Sequence, residues 1–303
     1  MRSLRSAGRR LIASVGVLAA AVLLSAYGAD GITLLLSADT EGQITPCQSC
    51  SIQTAPGGMA RRSTLIAERR KSDPSLFLVD AGNAFLGADS MASSGGVIVA
   101  AYNALNYDAV NLSYRDFRLG KAQTLKMLRD ARFGVVSCNL LDDSTGQLIA
   151  KPYVVRQAGG ERVAIIGVTE RPEARDVLPH LRQQLAGIRV QPPLEALSAW
   201  LPKARREAGR VVLLYYGSAV GLDEVRQKFG GDLAAILVGG MPSEVLPRGG
   251  QLPIVGAAEH GRRLGELRLS ADGRSDARQV EVDPSLRSDP RMESILKAYG
   301  KRR

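Results

Sequence analysis

Acidic and amide side chains gather in short loops directly behind apolar runs. Asp39 and Glu41 stand in Ser37-Ala38-Asp39-Thr40-Glu41-Gly42, Asn83 in Asp80-Ala81-Gly82-Asn83-Ala84-Phe85-Leu86-Gly87, and Asp116 in Asn111-Leu112-Ser113-Tyr114-Arg115-Asp116-Phe117. Side chains of this kind supply oxygen ligands to hard cations or caps to helices and turns. A second chemistry-bearing pattern is Pro46-Cys47-Gln48-Ser49-Cys50. Two thiols separated by two residues can form a strained, reducible disulfide, provide half of a metal site, or exchange with a partner's thiols. Ser51 stands where a c-type haem attachment has histidine, which disfavours covalent haem. A four-thiolate zinc site would need a second pair, and only Cys138 remains. A local structural disulfide and a redox or partner-binding role both stay open for Cys47 and Cys50, while Cys138 reads as a small buried residue. The chain has two histidines, too few for a multi-histidine centre. His180, in Leu178-Pro179-His180-Leu181-Arg182, and His260, just before Arg262-Arg263, both read as surface or packing residues.

The elements that must position these loops alternate between β-rich apolar runs and helical patterns, the sequence signature of an α/β sheet protein. Strands are expected at Ile32-Leu36, Leu76-Val79, Ala109-Leu112, Val135-Ser137, Val163-Val168, Val211-Tyr215 and Ala234-Val238. Apolar residues near a 3.6 spacing predict helices at Met59-Arg70, Gly96-Leu105, Ala122-Ala131 and Asp223-Phe229. Another is expected over Leu194-Ala208, kinked or restarted by Pro202. An antiparallel pair, Arg263-Leu269 with Gln279-Val282, should turn at Ala271-Asp272-Gly273, and a helix at Pro290-Tyr299 should pack back on the body. With 303 residues, 45% apolar, and neither a repeat nor a linker, one domain over residues 30–303 is the expected organisation. In an open α/β sheet, ligands sit beyond the carboxyl ends of the strands, which is where the Asp39, Asn83 and Asp116 loops fall. The later strands lead into Tyr215-Tyr216-Gly217 and Gly239-Gly240-Met241-Pro242-Ser243 at the same end.

The formal charge of +10 is concentrated at the amino terminus, where Arg2, Arg5, Arg9 and Arg10 fall within ten residues. Setting those four of 40 aside leaves 36 basic against 30 acidic side chains, spread through mixed segments that read as solvated helix faces. No interleaved aromatic stripe accompanies them, so nucleic acid is not an expected partner. The basic opening precedes an uncharged run from Leu11 to Ala29 that ends in small residues, the order of a secretory signal peptide. Residues 1–29 are therefore expected to direct export to the periplasm or out of the cell. The run of about 19 residues is also close to a bilayer span, so an uncleaved anchor is the rival reading and the one case in which a membrane is involved.

Read in order, the loop series resembles the metallophosphatase domain of the periplasmic 5′-nucleotidase family, whose blocks run D-x-H, G-D-x-F-x-G, G-N-H-D-F, S-H and G-H-x-H. Gly57-Gly58-Met59-Ala60-Arg61-Arg62, Asn106-Tyr107-Asp108-Ala109-Val110 and Arg162-Val163-Ala164-Ile165-Ile166-Gly167-Val168 add matches between the blocks. The resemblance runs from about Ile32 to Tyr299 and stops short of the separate substrate-binding domain of full nucleotidases. It implies a four-layer αββα sandwich in a single domain. It also implies that the family's two-metal centre is degenerate. Asp39 matches the first aspartate, but Glu41 stands at the next histidine, Asn83 at the bridging aspartate and Tyr114 at the metal-binding asparagine. Arg115 replaces the histidine that stabilises the transition state, beside Asp116. Tyr216, Met241 and Ser243 fall at the remaining histidine ligands.

A bridging hydroxide between two cations needs a bridging carboxylate and imidazoles to complete the metal shells. Asn, Tyr and Met in those places are poor substitutes. The expectation is a phosphoesterase-like protein without conventional dimetal catalysis, acting as a binding or accessory protein for an anionic small molecule or a periplasmic protein. Asp39, Glu41, Asn83 and Asp116 could converge as an all-oxygen set for at most one Ca²⁺ or Mg²⁺, with no other cofactor expected. Alternatively they cap helices and pair with Arg115. Arg115, as a fixed cation, would favour an anionic ligand. Two other readings stay open: residual metal-dependent phosphoester hydrolysis, and thiol-disulfide work through Cys47 and Cys50.

Overall fold

The computed structural model describes residues 31–46, 55–158, 160–171, 179–242, 246 and 251–300. The expected signal segment, Cys47, Cys50 and Ser243 lie outside the described residues, as does the side chain of His180.

The first sheet holds β1 (Gly31–Ser37), β2 (Phe77–Asp80), β3 (Ala109–Asn111) and β4 (Gly134–Val136) in parallel, with β12 (Arg263–Ser270) antiparallel to β1 and β13 (Ser275–Glu281) antiparallel to β12. The second sheet runs β11-β10-β9-β7-β6. Its strands β7 (Glu161–Thr169), β9 (Arg210–Tyr216), β10 (Ala235–Gly239) and β11 (Ile254–Gly256) are parallel, and β6 (Tyr153–Ala158) is antiparallel to β7. A separate short pair joins β5 (Leu140–Asp142) to β8 (Ile188–Val190).

The helices are α1 (Met59–Ser72), α2 (Gly96–Leu105), α3 (Gly120–Leu128), α4 (Pro179–Gln184), α5 (Pro193–Glu207), α6 (Ala219–Phe229) and α7 (Pro290–Gly300). All the strands expected from sequence form, each within a residue or two of its expected limits except β13, which begins at Ser275, four residues before the expected Gln279. Beyond the expected strands, β5, β6, β8 and β11 also form. Pro202 does not divide α5, which runs unbroken with Pro193 in its first turn. The carbonyl that Pro202 leaves unpaired is that of Ser198, an exposed residue whose carbonyl can turn to water.

Alternation along the strands builds the layers. Leu34, Leu36, Val79 and Ala109 of the first sheet meet Val163, Ile165, Val212, Leu214 and Leu237 of the second. The opposite faces of the same strands send Leu35, Leu78 and Val110 towards Leu65, Ile66, Ile98, Tyr102, Met127 and Met292 on α1, α2, α3 and α7. Ala164, Ile166, Val211, Leu213 and Ile236 point the other way, against Leu197, Leu201, Leu222 and Val225 of α5 and α6. Helices, sheet, sheet and helices therefore stack as the four layers of an αββα sandwich. Each fully buried Leu, Ile or Val contributes roughly 1.5–3 kcal/mol to holding it.

This stacking sets the carboxyl ends of β1, β2 and β3 beside those of β9 and β10. Asn111 stitches the sheets there, its Nδ2 donating to Ala81 O and Val168 O at 3.0 Å each. Gly167 makes the approach possible: a Cβ there would lie 2.8 Å from the Val136 carbonyl oxygen.

Candidate functional site

The loop after β1 is zipped to the loop after β2 by backbone hydrogen bonds. Asp39 N donates to Gly82 O at 3.0 Å, Glu41 N to Asn83 O at 2.9 Å and Gly42 N to Ala84 O at 2.9 Å. A third loop joins from beyond β11, where His260 N donates to Asp39 O at 2.8 Å. Asp39, Glu41, Asn83 and His260 all hold left-handed backbones, with φ of 45°, 49°, 58° and 57°. Such conformations cost on the order of 1 kcal/mol or more each for residues with a Cβ and persist where the surroundings over-determine them. Four in one place turn four polar side chains toward each other.

Asn83 is the hub. Its Nδ2 donates to Asp39 Oδ1 at 2.8 Å and to Glu41 Oε1 at 2.9 Å. Its Oδ1 faces Arg118 Nη2 at 3.5 Å, which fixes the sense of the amide. Asp39 also accepts from Tyr216 Oη at 3.1 Å and from the Gly240 backbone N–H at 2.7 Å, so β9 and β10 of the second sheet close on a carboxylate carried by the first. Burial pushes the Asp39 carboxyl above its ordinary value, against the pull of these three donors. Burial, and then the Asp39 charge, push the Tyr216 phenol well above its ordinary range, so it stays a donor.

Glu41 lies further out. Besides Asn83, it faces His260 Nε2 at 3.3 Å from Oε2 and Arg118 Nη2 at 3.6 Å from Oε1. Arg118 is anchored separately, with Nη1 donating to Leu86 O at 3.0 Å. Arg115 is exposed and lies over the Tyr114 ring at 5.7 Å, and Tyr114 meets Tyr216 edge-on at 6.0 Å.

Asp116 does not join this cluster. It is buried, and its oxygens accept from Ser113 N, Ser113 Oγ, Asn83 N and Ala84 N at 2.7–3.0 Å. It closes a capping box with Ser113 and pins the backbone that presents Asn83. Nor does Met241 face the cluster, packing instead against the outer core of the second sheet. Cys138 is fully buried, and burial pushes its thiol far up, out of reach of thiolate chemistry at neutral pH. His260, read from sequence as a surface or packing residue, is a member of the site, and so is Arg118, which the sequence reading passed over. His260 follows β11, a short parallel strand that ends on the same side as β9 and β10 and that the sequence does not announce.

Beneath the cluster lies a second polar layer. Asp80 is fully buried and accepts from Ser37 Oγ at 2.5 Å, Tyr102 Oη at 2.8 Å and Gly82 N at 2.8 Å. Tyr102 Oη meets Thr40 Oγ1 at 3.0 Å, and Thr40 accepts from the buried Arg62 guanidinium at 3.1 Å. Asp39 and Glu41 thus flank a residue whose hydroxyl is tied into this layer.

The pair of divalent cations implied by the family resemblance is poorly matched by these side chains. A bridging position needs an anionic oxygen facing both metals. Here the Asn83 amide nitrogen points at both carboxylates, and Tyr216, Gly240 and Arg118 add further donors. No group of three or more His, Cys, Asp or Glu among the described residues is arranged to hold an ion.

Gly87 backs the Glu41 loop so closely that an added Cβ would run into the Glu41 carbonyl. Gly87→Ala should therefore lower the urea midpoint by the equivalent of about 1–3 kcal/mol, as overpacking does. An unchanged midpoint would show that the two loops part freely.

No protein-family model matches the chain. Human 5′-nucleotidase is 25% identical over 315 residues, covering 89% of this chain and 53% of the relative, so the chain spans about half the length of the curated protein it matches. The crystal structure of a 5′-nucleotidase precursor from Thermus thermophilus superposes with a TM-score of 0.74 at 25% identity, over 90% of this chain and 59% of that one. A calcineurin-like phosphoesterase from Bacillus subtilis gives a TM-score of 0.72 at 20% identity, over 90% of this chain and 97% of the other, a likeness of fold. With its four layers and its cluster beyond the strand ends, the chain has the metallophosphatase-like fold of these proteins and is similar in sequence to the 5′-nucleotidases.

Proposed function

We propose that this chain is an exported, phosphoesterase-like protein that binds an anionic ligand at the Asp39–Asn83–Glu41 cluster without hydrolysing it. The observation that supports this most is the direction of the Asn83 amide. Its NH₂ satisfies both carboxylates from within the chain, doing by hydrogen bonds what bound cations would do by charge. Without a metal-held hydroxide, the site offers no nucleophile for a phosphoester: Tyr216 keeps its proton, and the Asp39 carboxylate is closed in by three donors. What the site does offer is positive charge on its open side from Arg118 and Arg115, beside the His260 ring. Export to the periplasm or beyond is supported by the basic, apolar and small-residue order of residues 1–29.

The test is hydrolysis of nucleoside monophosphates and of bis(p-nitrophenyl) phosphate by the purified chain with Mn²⁺, Zn²⁺, Mg²⁺ or Ca²⁺ supplied in turn. Metal content by mass spectrometry and calorimetric titration with nucleotides complete it. The expected result is no turnover above that of Asp39→Ala, no stoichiometric metal, and heat on nucleotide addition. Turnover that Asp39→Ala abolishes would make the chain a phosphoester hydrolase. In a parallel disulfide-reduction assay, turnover that chelators spare and Cys47→Ser abolishes would make it a thiol-disulfide protein.

A further inference from the structure

Three side chains converge on the Glu41 carboxylate, and two of them, Asn83 and Arg118, are also held by other partners. Asn83 Nδ2, at 2.9 Å, is fixed by its bond to Asp39. Arg118, at 3.6 Å, is anchored on the Leu86 carbonyl. His260, at 3.3 Å, is carried by a loop whose backbone N–H is tied to Asp39 O. Glu41 itself is the mobile partner in chemical terms, a carboxylate on a three-torsion chain, a third exposed, rising from a strained backbone at φ 49°. An anion receptor with its own carboxylate folded into it has this shape.

We propose that Glu41 occupies an oxyanion site and that a phosphate group binds there by displacing it. The proposal rests on the anion-binding reading above and adds to it the place, the ligand class and the gate. Charge favours phosphate over a second carboxylate. Arg115 stands at the mouth, near enough to feel the Glu41 charge, and makes no ion pair among the described residues. Arg118 and Arg115 can together balance two negative charges, where Glu41 supplies one. The ligand phosphate would accept from Asn83 Nδ2, Arg118 and His260 on its inner side and meet Arg115 on its outer side. The released Glu41 side chain would turn to solvent, so affinity for phosphate is held down by the occupant the ligand must expel.

The experiment is titration of the full mature chain with inorganic phosphate, for wild type, Glu41→Ala and the double variant Glu41→Ala/Arg118→Ala. Thermal melts confirm folding, and Glu41→Gln serves if the alanine variant does not fold. Glu41→Ala should bind phosphate at least tenfold more tightly than wild type, and adding Arg118→Ala should remove that gain. Equal or weaker binding by Glu41→Ala, with wild type still binding, would overturn the displaced-carboxylate proposal and leave the anion-binding reading standing. Failure of every folded variant to bind phosphate or nucleotides would remove both.

Discussion

Wild-type stability is expected to fall as pH rises from about 4 to about 7, and Asp80→Asn should remove that part of the slope. Asp80 is fully buried, and burial raises its carboxyl from the ordinary 3.8 to about 7, against the pull of the Ser37, Gly82 and Tyr102 donors. A carboxyl with a higher value in the folded chain than in the unfolded one binds its proton more tightly when folded. Its stabilising contribution is therefore complete below about pH 4 and is lost as pH rises through about 7. Three pH units at about 1.4 kcal/mol each make the full span about 4 kcal/mol. Asp80→Asn fixes the neutral form. It should cost about 1–3 kcal/mol at pH 5, through a less well matched hydrogen-bond set, and the penalty should shrink by pH 8. The charged and polar groups around Asp80 are Tyr102, Tyr107, Asp116 and the buried guanidinium of Arg62, which feels the charges of Tyr107, Tyr102 and Asp80 in that order. Were Arg62 close enough in effect to hold Asp80 ionised, the Asn penalty would grow with pH instead. Denaturation of both proteins across that range separates the two cases.

Much of the sandwich is legible in the sequence because its central strands are buried on both faces. Runs such as Ile32-Leu36 and Val211-Tyr215 leave little room for another reading. Edge strands carry a weaker signal. In β6, on an antiparallel edge, Val154 is buried while Tyr153, Val155 and Arg156 are half-buried, a pattern with no continuous apolar run. Within the site, the loop residues Asp39, Glu41 and Asn83 could be named because they follow strands. Their mutual contacts could not, since these depend on left-handed backbones at residues where a left-handed φ is uncommon. The pairing of His260 with Glu41 spans 219 positions of chain and has no local signature. Asp116 is the instructive case. Its spacing from Ser113 is that of a capping box, a local cue pointing to the role the structure gives it rather than to an ion. Where a side chain could serve either its own backbone or a ligand, the deciding fact is direction, which composition and spacing do not carry.

Direction also decides the effect of Asn83→Asp, expected to be the most damaging single change in the cluster and the one a cation can relieve. The substitution replaces an N–H donor, 2.8 and 2.9 Å from two carboxylate oxygens, with a third carboxylate oxygen. Two charge-assisted hydrogen bonds are lost, each worth about 1.5–3 kcal/mol. In their place come repulsions that Coulomb's law puts at about 4 kcal/mol for unit charges 4 Å apart in a medium of effective dielectric near 20. Rearrangement and proton uptake absorb part of this, leaving an expected loss of about 3–5 kcal/mol at pH 8. The new carboxyl, crowded by Asp39 and Glu41, should titrate well above its ordinary value. The penalty should then ease as pH falls and the three groups come to share a proton. A divalent cation at 100 times its dissociation constant should restore about 2.7 kcal/mol, raising the melting temperature of Asn83→Asp but not of wild type. Asn83→Ala is the control: it loses the same hydrogen bonds, adds no charge, and should gain nothing from the cation. If Asn83→Asp proves as stable as wild type in chelator at pH 8, the Asn83 amide is not what holds the two carboxylates together. The case for a site closed by its own hydrogen bonds, and with it the non-catalytic reading, would then fail.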